Sequence, residues 1–217
     1  MIDLHTHTLL SDGDLLPSEL ARRAVDLGYR AIAMTDHADR SNLAFVAERL
    51  RAVAEQLNSV LGIQIVAGVE LTHVPPLLIG EMIQEARQAG AQFVAVHGET
   101  LVEPVAAGTN YAAIKGGADL LTHPGLISDD DARLAAERGV LLEITTRHGH
   151  AYSNGHVARV ARSVGARLVI NTDTHRPENM LRREQAVRFA RGAGLSLDEV
   201  DQCYENAQAL LQRLKQS

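Results

Sequence analysis

Two histidines alternate at the end of the first apolar run, Asp3-Leu4-His5-Thr6-His7, and an acidic turn, Ser11-Asp12-Gly13, follows it. Residues i and i+2 of a β-strand point to the same face, so His5 and His7 would aim two imidazoles into one space. A single histidine is usually a surface residue or a hydrogen-bonded core residue, whereas two in phase beside a carboxylate are typical of metal ligands. The segment therefore predicts a metal site to which other parts of the chain must contribute.

Ionisable side chains also follow each of six later runs of strand-forming residues. Barrel enzymes assemble their sites at the C-terminal ends of parallel strands, so this placement predicts one shared site. Any one such residue could instead cap a helix or face solvent, an interpretation that fits His73, His148, His150 and His156 best. Because all seven strands carry ionisable residues at the same end, this interpretation does not fit the residues taken together. In chain order the side chains are His37, Glu70, His97, His123, then Glu143, Arg147, His148 and His150, and finally Asp173 and His175.

The candidate metal ligands comprise six imidazoles and three carboxylates, with no cysteine. Such nitrogen and oxygen donors suit Zn²⁺, Mn²⁺ or iron better than Mg²⁺ or Ca²⁺. Nine donors exceed the needs of one ion, so we expect two or three divalent ions, with Glu70 placed to bridge. Asp3, Asp36 and Glu143 are expected to orient the imidazoles from behind. The ligand set is His5, His7, Asp12, His37, Glu70, His97, His123, Asp173 and His175.

The elements that must position these residues alternate regularly along the chain. Amphipathic helical segments separate the apolar runs; one begins at Pro17 and ends at Gly28, and another begins at Asn154 and ends at Gly165. Strands that alternate with helices form a parallel sheet, and the lack of a glycine-rich dinucleotide motif after the first run favours a closed α/β barrel. We expect one domain over 1–217, with 196–217 a C-terminal helical segment packed on the barrel. The predicted strands are 2–5, 31–34, 63–69, 93–96, 120–122, 140–144 and 167–170.

Composition narrows the class of protein. The 217 residues carry a formal net charge of −6 with no basic block, which makes nucleic acid an unexpected partner. The single cysteine, Cys203, allows no internal disulfide and fits a reducing cytoplasm. The sequence shows no signal peptide and no apolar stretch near the ~20 residues that a membrane span needs. We therefore expect a cytoplasmic protein without a membrane partner.

The motifs, taken in this order, resemble those of the PHP (polymerase and histidinol phosphatase) family. The matching segments are Asp3-Leu4-His5-Thr6-His7 with Ser11-Asp12-Gly13, Thr35-Asp36-His37, Gly68-Val69-Glu70, Val96-His97-Gly98-Glu99, Thr122-His123-Pro124 and Asn171-Thr172-Asp173-Thr174-His175. The resemblance implies a distorted seven-stranded, TIM-like (β/α)7 barrel with a trinuclear metal site. Carried over by position, the first ion would take His5, His7, Glu70 and Asp173, the second Glu70, His97 and His123, and the third Asp12, His37 and His175.

The resemblance also implies a metal-dependent phosphoesterase that hydrolyses a phosphate monoester of a small metabolite, histidinol-phosphate-like or nucleotide-like. A hydroxide bridging two ions is the expected nucleophile, because a bound cation lowers the pKa of water from 15.7 to ~7 in the best cases. Arg147 and Arg176 are candidates to bind the substrate phosphate, since a guanidinium fork matches two phosphate oxygens. His148 or His150 could protonate the leaving group.

Three other functions stay open. An amidohydrolase-type enzyme that cleaves a C–N bond also begins with two alternating histidines, but that class often bridges its metals with a carboxylated lysine at a strand end. The two lysines, Lys115 and Lys215, lie in a predicted helix and in the tail, which disfavours it. A metal-dependent nuclease is disfavoured by the net charge and by the lack of a basic, aromatic groove. A metal-storage or regulatory module is disfavoured by the full ligand set.

Overall fold

Seven parallel strands form a nearly closed barrel surrounded by helices, and a further strand of two residues lies beside them. The strands are β1 (Ile2–Thr6), β2 (Ala31–Met34), β3 (His37–Ala38), β4 (Gln64–Leu71), β5 (Phe93–His97), β6 (Leu120–Thr122), β7 (Leu141–Thr145) and β8 (Leu168–Asn171). Neighbours pair in the order β1-β2-β4-β5-β6-β7-β8, while the two-residue β3 pairs with β4. The computed structural model describes residues 1–215, so the last two residues of the expected 196–217 segment lie outside them.

The predicted α/β barrel is confirmed, and each predicted strand overlaps an observed one. The short strand β3 was not predicted, because a two-residue bridge offers no periodic pattern to detect. Its pairing places His37 directly opposite Glu70 on β4. Two candidate ligands therefore lie at the same height on adjacent strands.

The barrel is distorted where its first and last strands meet. The His7 N–H donates to the Thr174 carbonyl at 2.8 Å, and Thr6 and Thr174 form a parallel bridge. Further into the barrel the Leu4 N–H donates to the Asn171 side-chain oxygen at 2.9 Å. The Asn171 side chain thus replaces a backbone group as the hydrogen-bond partner. The junction between β1 and β8 stays closed although the two strands do not form a regular pair.

The two helices whose ends the sequence predicts, from Pro17 and from Asn154, begin at those residues, and glycine or serine residues mark other helix ends. The Ser128 hydroxyl accepts the Asp131 N–H, and Gly139 and Gly165 end their helices with φ of +73° and +74°, a conformation that favours glycine. The helices are α1 (Pro17–Asp26), α2 (Leu43–Asn58), α3 (Pro76–Gln88), α4 (Thr109–Gly116), α5 (Asp129–Arg138), α6 (Asn154–Val164), α7 (Arg183–Gly192) and α8 (Leu197–Leu214), with 3-10 turns at His150–Ser153 and Pro177–Asn179.

Apolar side chains fill the barrel interior on the N-terminal side of the polar strand ends. Ile2, Leu4 and Phe93 pack there in one buried cluster with Leu210 and Leu211 of α8. A larger apolar cluster joins the outer faces of the strands to the surrounding helices. The C-terminal helix thus packs against the barrel, and the polar side chains collect at the other end. Within residues 1–215, no helix is long and apolar enough to span a bilayer.

Candidate metal centre

The end of β1 delivers two imidazoles to the middle of the site. The strand is fully buried, and the His5 and His7 rings lie 5.0 Å apart between centroids. His5 Nε2 lies 3.3 Å from Glu70 Oε1, and His7 Nε2 lies 3.3 Å from Asp173 Oδ1. The alternation in the sequence therefore brings both imidazoles to the two buried carboxylates.

The Glu70 carboxylate lies between imidazoles from three elements. Its Oε1 is 3.3 Å from His5 Nε2 and 3.6 Å from His123 Nε2, while its Oε2 is 2.8 Å from His37 Nδ1. The Thr122 hydroxyl donates to Oε1 at 2.6 Å and holds the carboxylate in place. A buried carboxylate in this position has the geometry that a bridging ligand needs.

A second group gathers around Asp12 in the loop that follows β1. Asp12 Oδ1 lies 3.2 Å from His175 Nε2 and 3.5 Å from His37 Nε2. The His7 ring lies against both imidazoles, with centroids 4.1 Å from His175 and 4.2 Å from His37. Donor atoms of these four residues lie within 4.8 Å of one another, close enough to share an ion.

His97 and His123 form a third group with Glu70, and their Nδ1 atoms are 3.3 Å apart. His5, His123 and Asp173 form a further group that links this one to β1. All nine residues of the predicted ligand set thus lie in overlapping groups at the barrel mouth. Which residues bind which ion stays a prediction.

Several buried nitrogen and oxygen atoms in these groups make no hydrogen bond of good geometry, although Glu70 Oε2 lies 2.8 Å from His37 Nδ1. Within residues 1–215, these orphaned atoms include His5 Nε2, both ring nitrogens of His7, Glu70 Oε2 and Asp173 Oδ1. Each buried polar atom left unpaired costs about 1–3 kcal/mol, so five in one place call for a compensating partner. Imidazole nitrogens and carboxylate oxygens are ligands of Zn²⁺ and related transition metals. The residues present therefore fit a metal centre with more than one ion.

The two buried carboxylates and two of the imidazoles at the centre are in protonation states that suit metal ions. Burial by itself would raise the pKa of Glu70 and Asp173, but nearby imidazoles, His5 foremost, hold both pKa values well below the usual range. Burial lowers the pKa of His7 to about 3 and lowers that of His123 well below its usual value. Ionised carboxylates and neutral imidazoles are the forms that bind metals.

The pKa values of three other imidazoles shift in the opposite direction. Burial by itself would lower the pKa values of His5, His37 and His175, but nearby carboxylates raise them above the ordinary value, so a metal ion competes with protons for these imidazoles.

Glu143 orients two candidate ligands, as the sequence predicts. Its Oε1 lies 2.8 Å from His5 Nδ1, which leaves His5 Nε2 facing Glu70. Its Oε2 accepts the His123 backbone N–H at 2.9 Å. A carboxylate behind a metal-binding imidazole fixes the ring and its tautomer.

The same prediction is wrong for Asp3 and Asp36, which do not hydrogen-bond to any imidazole among the described residues. Asp3 accepts the backbone N–H and the hydroxyl of Thr172. Asp36 accepts the backbone N–H and hydroxyl of Thr8 and the Ser11 hydroxyl. Both carboxylates are turned toward the neighbouring backbone, so they fix the loops that carry the ligands rather than the rings.

Two candidate ligands have a left-handed backbone. The φ angle is +26° at His123 and +53° at Asp173. Such a conformation costs a non-glycine residue on the order of 1–3 kcal/mol and persists only where the surroundings enforce it. Strain at two strand ends that both face Glu70 is consistent with a functional site.

The two arginines expected to bind phosphate lie around the rim. Arg147 Nη1 donates to Asn179 Oδ1 at 3.0 Å, and the same oxygen accepts the His175 N–H, which ties Arg147 to a ligand-bearing loop. Arg176 is exposed, with its Nε 3.3 Å from Asp14 Oδ2. These contacts do not bring either guanidinium to the nine candidate ligands, so both roles stay predictions.

The two candidate proton donors differ sharply in their surroundings. His148 is exposed, with its Nε2 3.4 Å from the Tyr152 hydroxyl. His150 is 8% exposed, its ring stacks on His123 at 4.2 Å, and its Nε2 lies 4.0 Å from Asp173 Oδ2. The structure therefore places His150, and not His148, against the candidate ligands.

Glu103 and His73 also lie at the site, although the sequence gives no functional role to either. Glu103 Oε2 is 2.8 Å from His97 Nε2 and 3.0 Å from His73 Nε2. The sequence carries no signal for Glu103, because it lies inside a loop and not at a strand end. For His73, the one indication in the sequence is that it lies three residues after Glu70.

A (β/α) barrel with these donors at its strand C-termini defines the protein as a metal-dependent hydrolase. The chain belongs to the PHP domain family, whose model matches residues 3–100. Over 201 residues, 92% of each chain, it is 47% identical to MJ1295, an uncharacterized protein of Methanocaldococcus jannaschii. It is also 31% identical over 105 residues to the 5′-3′ exoribonuclease Rnm of Escherichia coli, a match that covers 43% of this chain and 36% of Rnm.

Solved structures share the fold. A chain in archaeal ribonuclease P with mature tRNA has a TM-score of 0.74 at 16% identity, covering 99% of this chain and 91% of that one. Histidinol phosphate phosphatase HISK of Lactococcus lactis, in complex with zinc, L-histidinol and phosphate, has a TM-score of 0.60 at 17% identity, covering 90% and 94%. At such identities the likeness concerns the fold alone.

Proposed function

We propose that this protein hydrolyses a phosphate monoester of a small metabolite with the help of bound divalent ions. The supporting observation is the set of five unpaired, buried donor atoms enclosed by imidazoles and carboxylates. The proposed ligands are His5, His7, Glu70 and Asp173 for one ion, Glu70, His97 and His123 for a second, and Asp12, His37 and His175 for a third. We propose Zn²⁺, Mn²⁺ or iron, because the donors are nitrogen and oxygen without sulfur.

Bound ions would supply Lewis acidity toward the phosphoryl oxygens and would acidify coordinated water. The chain contributes ligand side chains that the fold holds in place, and their carboxylates are already ionised. Partial burial opposes ionisation of Asp12, but the His175 and His37 imidazoles lower its pKa to about 2. Its charge is therefore present throughout the neutral range.

Arg147 is the proposed contact for the substrate phosphate. One of its five guanidinium N–H groups donates to Asn179, which leaves others to bind phosphate oxygens. Arg176 is the second candidate, since it neighbours His175 and is exposed. His150 is better placed than His148 to reach a leaving group, because its ring lies against His123 while His148 faces solvent.

A nuclease is the second candidate function, because the chain is 31% identical over 105 residues to an exoribonuclease. The same donors can assist hydrolysis of a phosphodiester. The formal net charge of −6 favours a small substrate over a long polyanion. An amidohydrolase with a lysine bridge finds no support, because Lys115 is exposed on α4 with its Nζ 5.5 Å from the Tyr111 ring centroid.

Release of inorganic phosphate from a substrate panel tests the proposal. The panel contains p-nitrophenyl phosphate, histidinol phosphate, nucleoside monophosphates and a 5′-phosphorylated oligoribonucleotide, with Zn²⁺, Mn²⁺ or Fe²⁺ added. We expect phosphate release from a small monoester and little shortening of the oligonucleotide. Oligonucleotide shortening without monoester turnover would establish the nuclease instead, and no turnover of any substrate with metal bound would refute hydrolysis of phosphate esters.

A further inference from the structure

Glu103 makes contacts that none of the roles described above explains. It lies in the loop between β5 and α4, and its carboxylate meets imidazoles from three separate loops or strands. Its Oε2 lies 2.8 Å from His97 Nε2 and 3.0 Å from His73 Nε2, and its Oε1 lies 3.4 Å from His150 Nε2. A carboxylate accepts hydrogen bonds and cannot donate them when ionised, so each close imidazole nitrogen is oriented as a donor.

His97 is the partner for which this orientation matters. Its two ring nitrogens face opposite surroundings: Nε2 contacts Glu103, and Nδ1 lies 3.3 Å from His123 Nδ1. A neutral imidazole carries one N–H and one lone pair. When Nε2 donates to Glu103, the lone pair is on Nδ1, the atom that faces His123, which shares a group with His97 and Glu70.

The same arrangement occurs a second time in the molecule. Glu143 Oε1 lies 2.8 Å from His5 Nδ1, and the other ring nitrogen, Nε2, faces Glu70 Oε1 at 3.3 Å. Each imidazole thus has a carboxylate on its outer nitrogen and candidate ion ligands on its inner nitrogen. Such pairs set the tautomer of a metal-binding histidine and raise its basicity.

We propose that Glu103 is the positioning residue of His97, fixing the tautomer and ring orientation that direct Nδ1 toward the ion position shared with Glu70 and His123. The inference rests on the proposed metal centre and adds a residue to it. Glu143 acts on His5 from inside a strand, whereas Glu103 acts on His97 from a loop. The second ion position therefore depends on how that loop is held.

The loop is held by specific contacts at both ends. Glu99 Oε1 accepts the N–H groups of Gly108 and Asn110, which closes the base of the loop. The Thr100 hydroxyl lies 2.6 Å from His150 Nδ1. These bonds hold the chain on either side of Glu103 and so keep its carboxylate near His97 and His73.

Two substitutions separate a positioning role from a direct ligand role. The Glu103→Ala change removes the acceptor, whereas Glu103→Gln keeps a neutral amide oxygen that can still accept the Nε2–H. Glu178→Ala is the matched control, because it removes an exposed carboxylate near the same rim without any imidazole partner among the described residues. Long-range ¹H–¹⁵N correlation spectra of the full-length protein, zinc-loaded and after chelation, report the His97 tautomer, with assignment by His97→Gln.

We expect His97 to carry its proton on Nε2 in the wild type, in Glu103→Gln and in Glu178→Ala, and to lose that preference in Glu103→Ala. Zinc titration should show one position weakened by roughly 10–100-fold in Glu103→Ala and by only a few-fold in Glu103→Gln. An unchanged tautomer in Glu103→Ala would overturn the proposal, and so would equal weakening in both variants, which would mark Glu103 as a ligand. Neither readout requires turnover, so a failed substrate panel would leave this result standing.

Discussion

At the residue scale, the chemistry depends on two carboxylates that stay ionised with almost no solvent contact. Glu70 and Asp173 are 0% and 1% exposed, and their nearest charged partners are imidazoles rather than arginine or lysine. Imidazoles can give up protons to solution when a metal ion takes their place, which a guanidinium cannot do. The carboxylates are therefore prepared for a cation that the neighbouring imidazoles can also bind.

The Glu70→Gln substitution should remove metal and turnover together. It keeps the size of the side chain and removes the charge that faces His5, His37 and His123. We expect at least one equivalent of metal to be lost, and turnover to fall by roughly 100-fold or more, the scale for removing a preorganised electrostatic contact. Elemental analysis and phosphate release measured on the same sample check this. Unchanged turnover would exclude Glu70 as the bridge.

The residue types and spacing predict all nine candidate ligands, because each follows a strand whose direction the sequence reveals. His150 could be named in this way but not preferred over His148, and Glu103 could not be found, since the positions of both residues depend on the paths of loops. The orienting carboxylates show the same limit. Glu143 was identified together with Asp3 and Asp36, but the direction in which each side chain points decides that only Glu143 contacts an imidazole.

At the element scale, the loop after β1 is held by hydrogen bonds to the Asp36 carboxylate and by close backbone packing at Gly13. The Asp36 carboxylate accepts from Thr8 and Ser11, and a Cβ added at Gly13 would lie 2.6 Å from the His7 carbonyl carbon. Only glycine fits at this point. The loop can therefore carry Asp12 back to His37 and His175.

Gly13→Ala should displace Asp12 without unfolding the barrel. The added methyl must push the loop away from His7, at a cost of about 1–3 kcal/mol. A displacement of this kind should lower turnover by roughly 10–100-fold and reduce the metal content. Gly62→Ala is the control, because a Cβ there meets nothing within 4 Å. Thermal unfolding and turnover measured for both variants test this, and equal turnover in the two would contradict it.

Ser196→Ala should destabilise the protein without affecting the site. The Ser196 hydroxyl accepts the Glu199 N–H at 3.1 Å, and Glu199 Oε2 accepts the Ser196 N–H at 2.7 Å, which forms a capping box at the start of α8. Loss of the cap should lower the free energy of unfolding by about 1 kcal/mol. Denaturant unfolding measures it, with Ser163→Ala inside α6 as the control. A loss of turnover at full occupancy by metal would contradict this separation.

The order of strands and helices follows from the alternation of apolar runs and amphipathic segments, and capping residues locate several helix ends. The short strand β3 and the irregular seam between β1 and β8 depend on single tertiary contacts. The Asn171 side chain, for example, accepts the Leu4 N–H across the seam and donates to Glu143 on the neighbouring strand β7. No local pattern in the sequence predicts that a side chain will replace a backbone group as a hydrogen-bond partner.

At the scale of the whole molecule, the barrel separates an apolar interior from a polar mouth. Helix α8 packs its leucines against the apolar cluster, while nine candidate ligands and their supporting carboxylates lie at the strand C-termini. The stable packing and the unpaired polar atoms are therefore kept in different regions. Loss of metal should change the structure of the barrel mouth first and should change the packing of the apolar core little.

The Cys203 thiol reports on that core. Cys203 is buried on α8, and burial raises the pKa of its thiol to about 12. A thiol protonated in this way reacts slowly, because the thiolate is the nucleophile. We expect no reaction of the native protein with a disulfide reagent at pH 8 and reaction of one thiol in denaturant. Rapid labelling of the folded protein would show that α8 opens or packs differently.

The central claim is that hydrolysis depends on ions held by this set of imidazoles and carboxylates. The most direct measurement is turnover of p-nitrophenyl phosphate by one preparation before chelation, after chelation, and after stepwise return of Zn²⁺, Mn²⁺ or Fe²⁺, with bound metal determined at each step. We predict that activity disappears with the metal and returns in proportion to its uptake, to a limit of two or three ions. Full activity in protein shown to be free of metal would contradict the account.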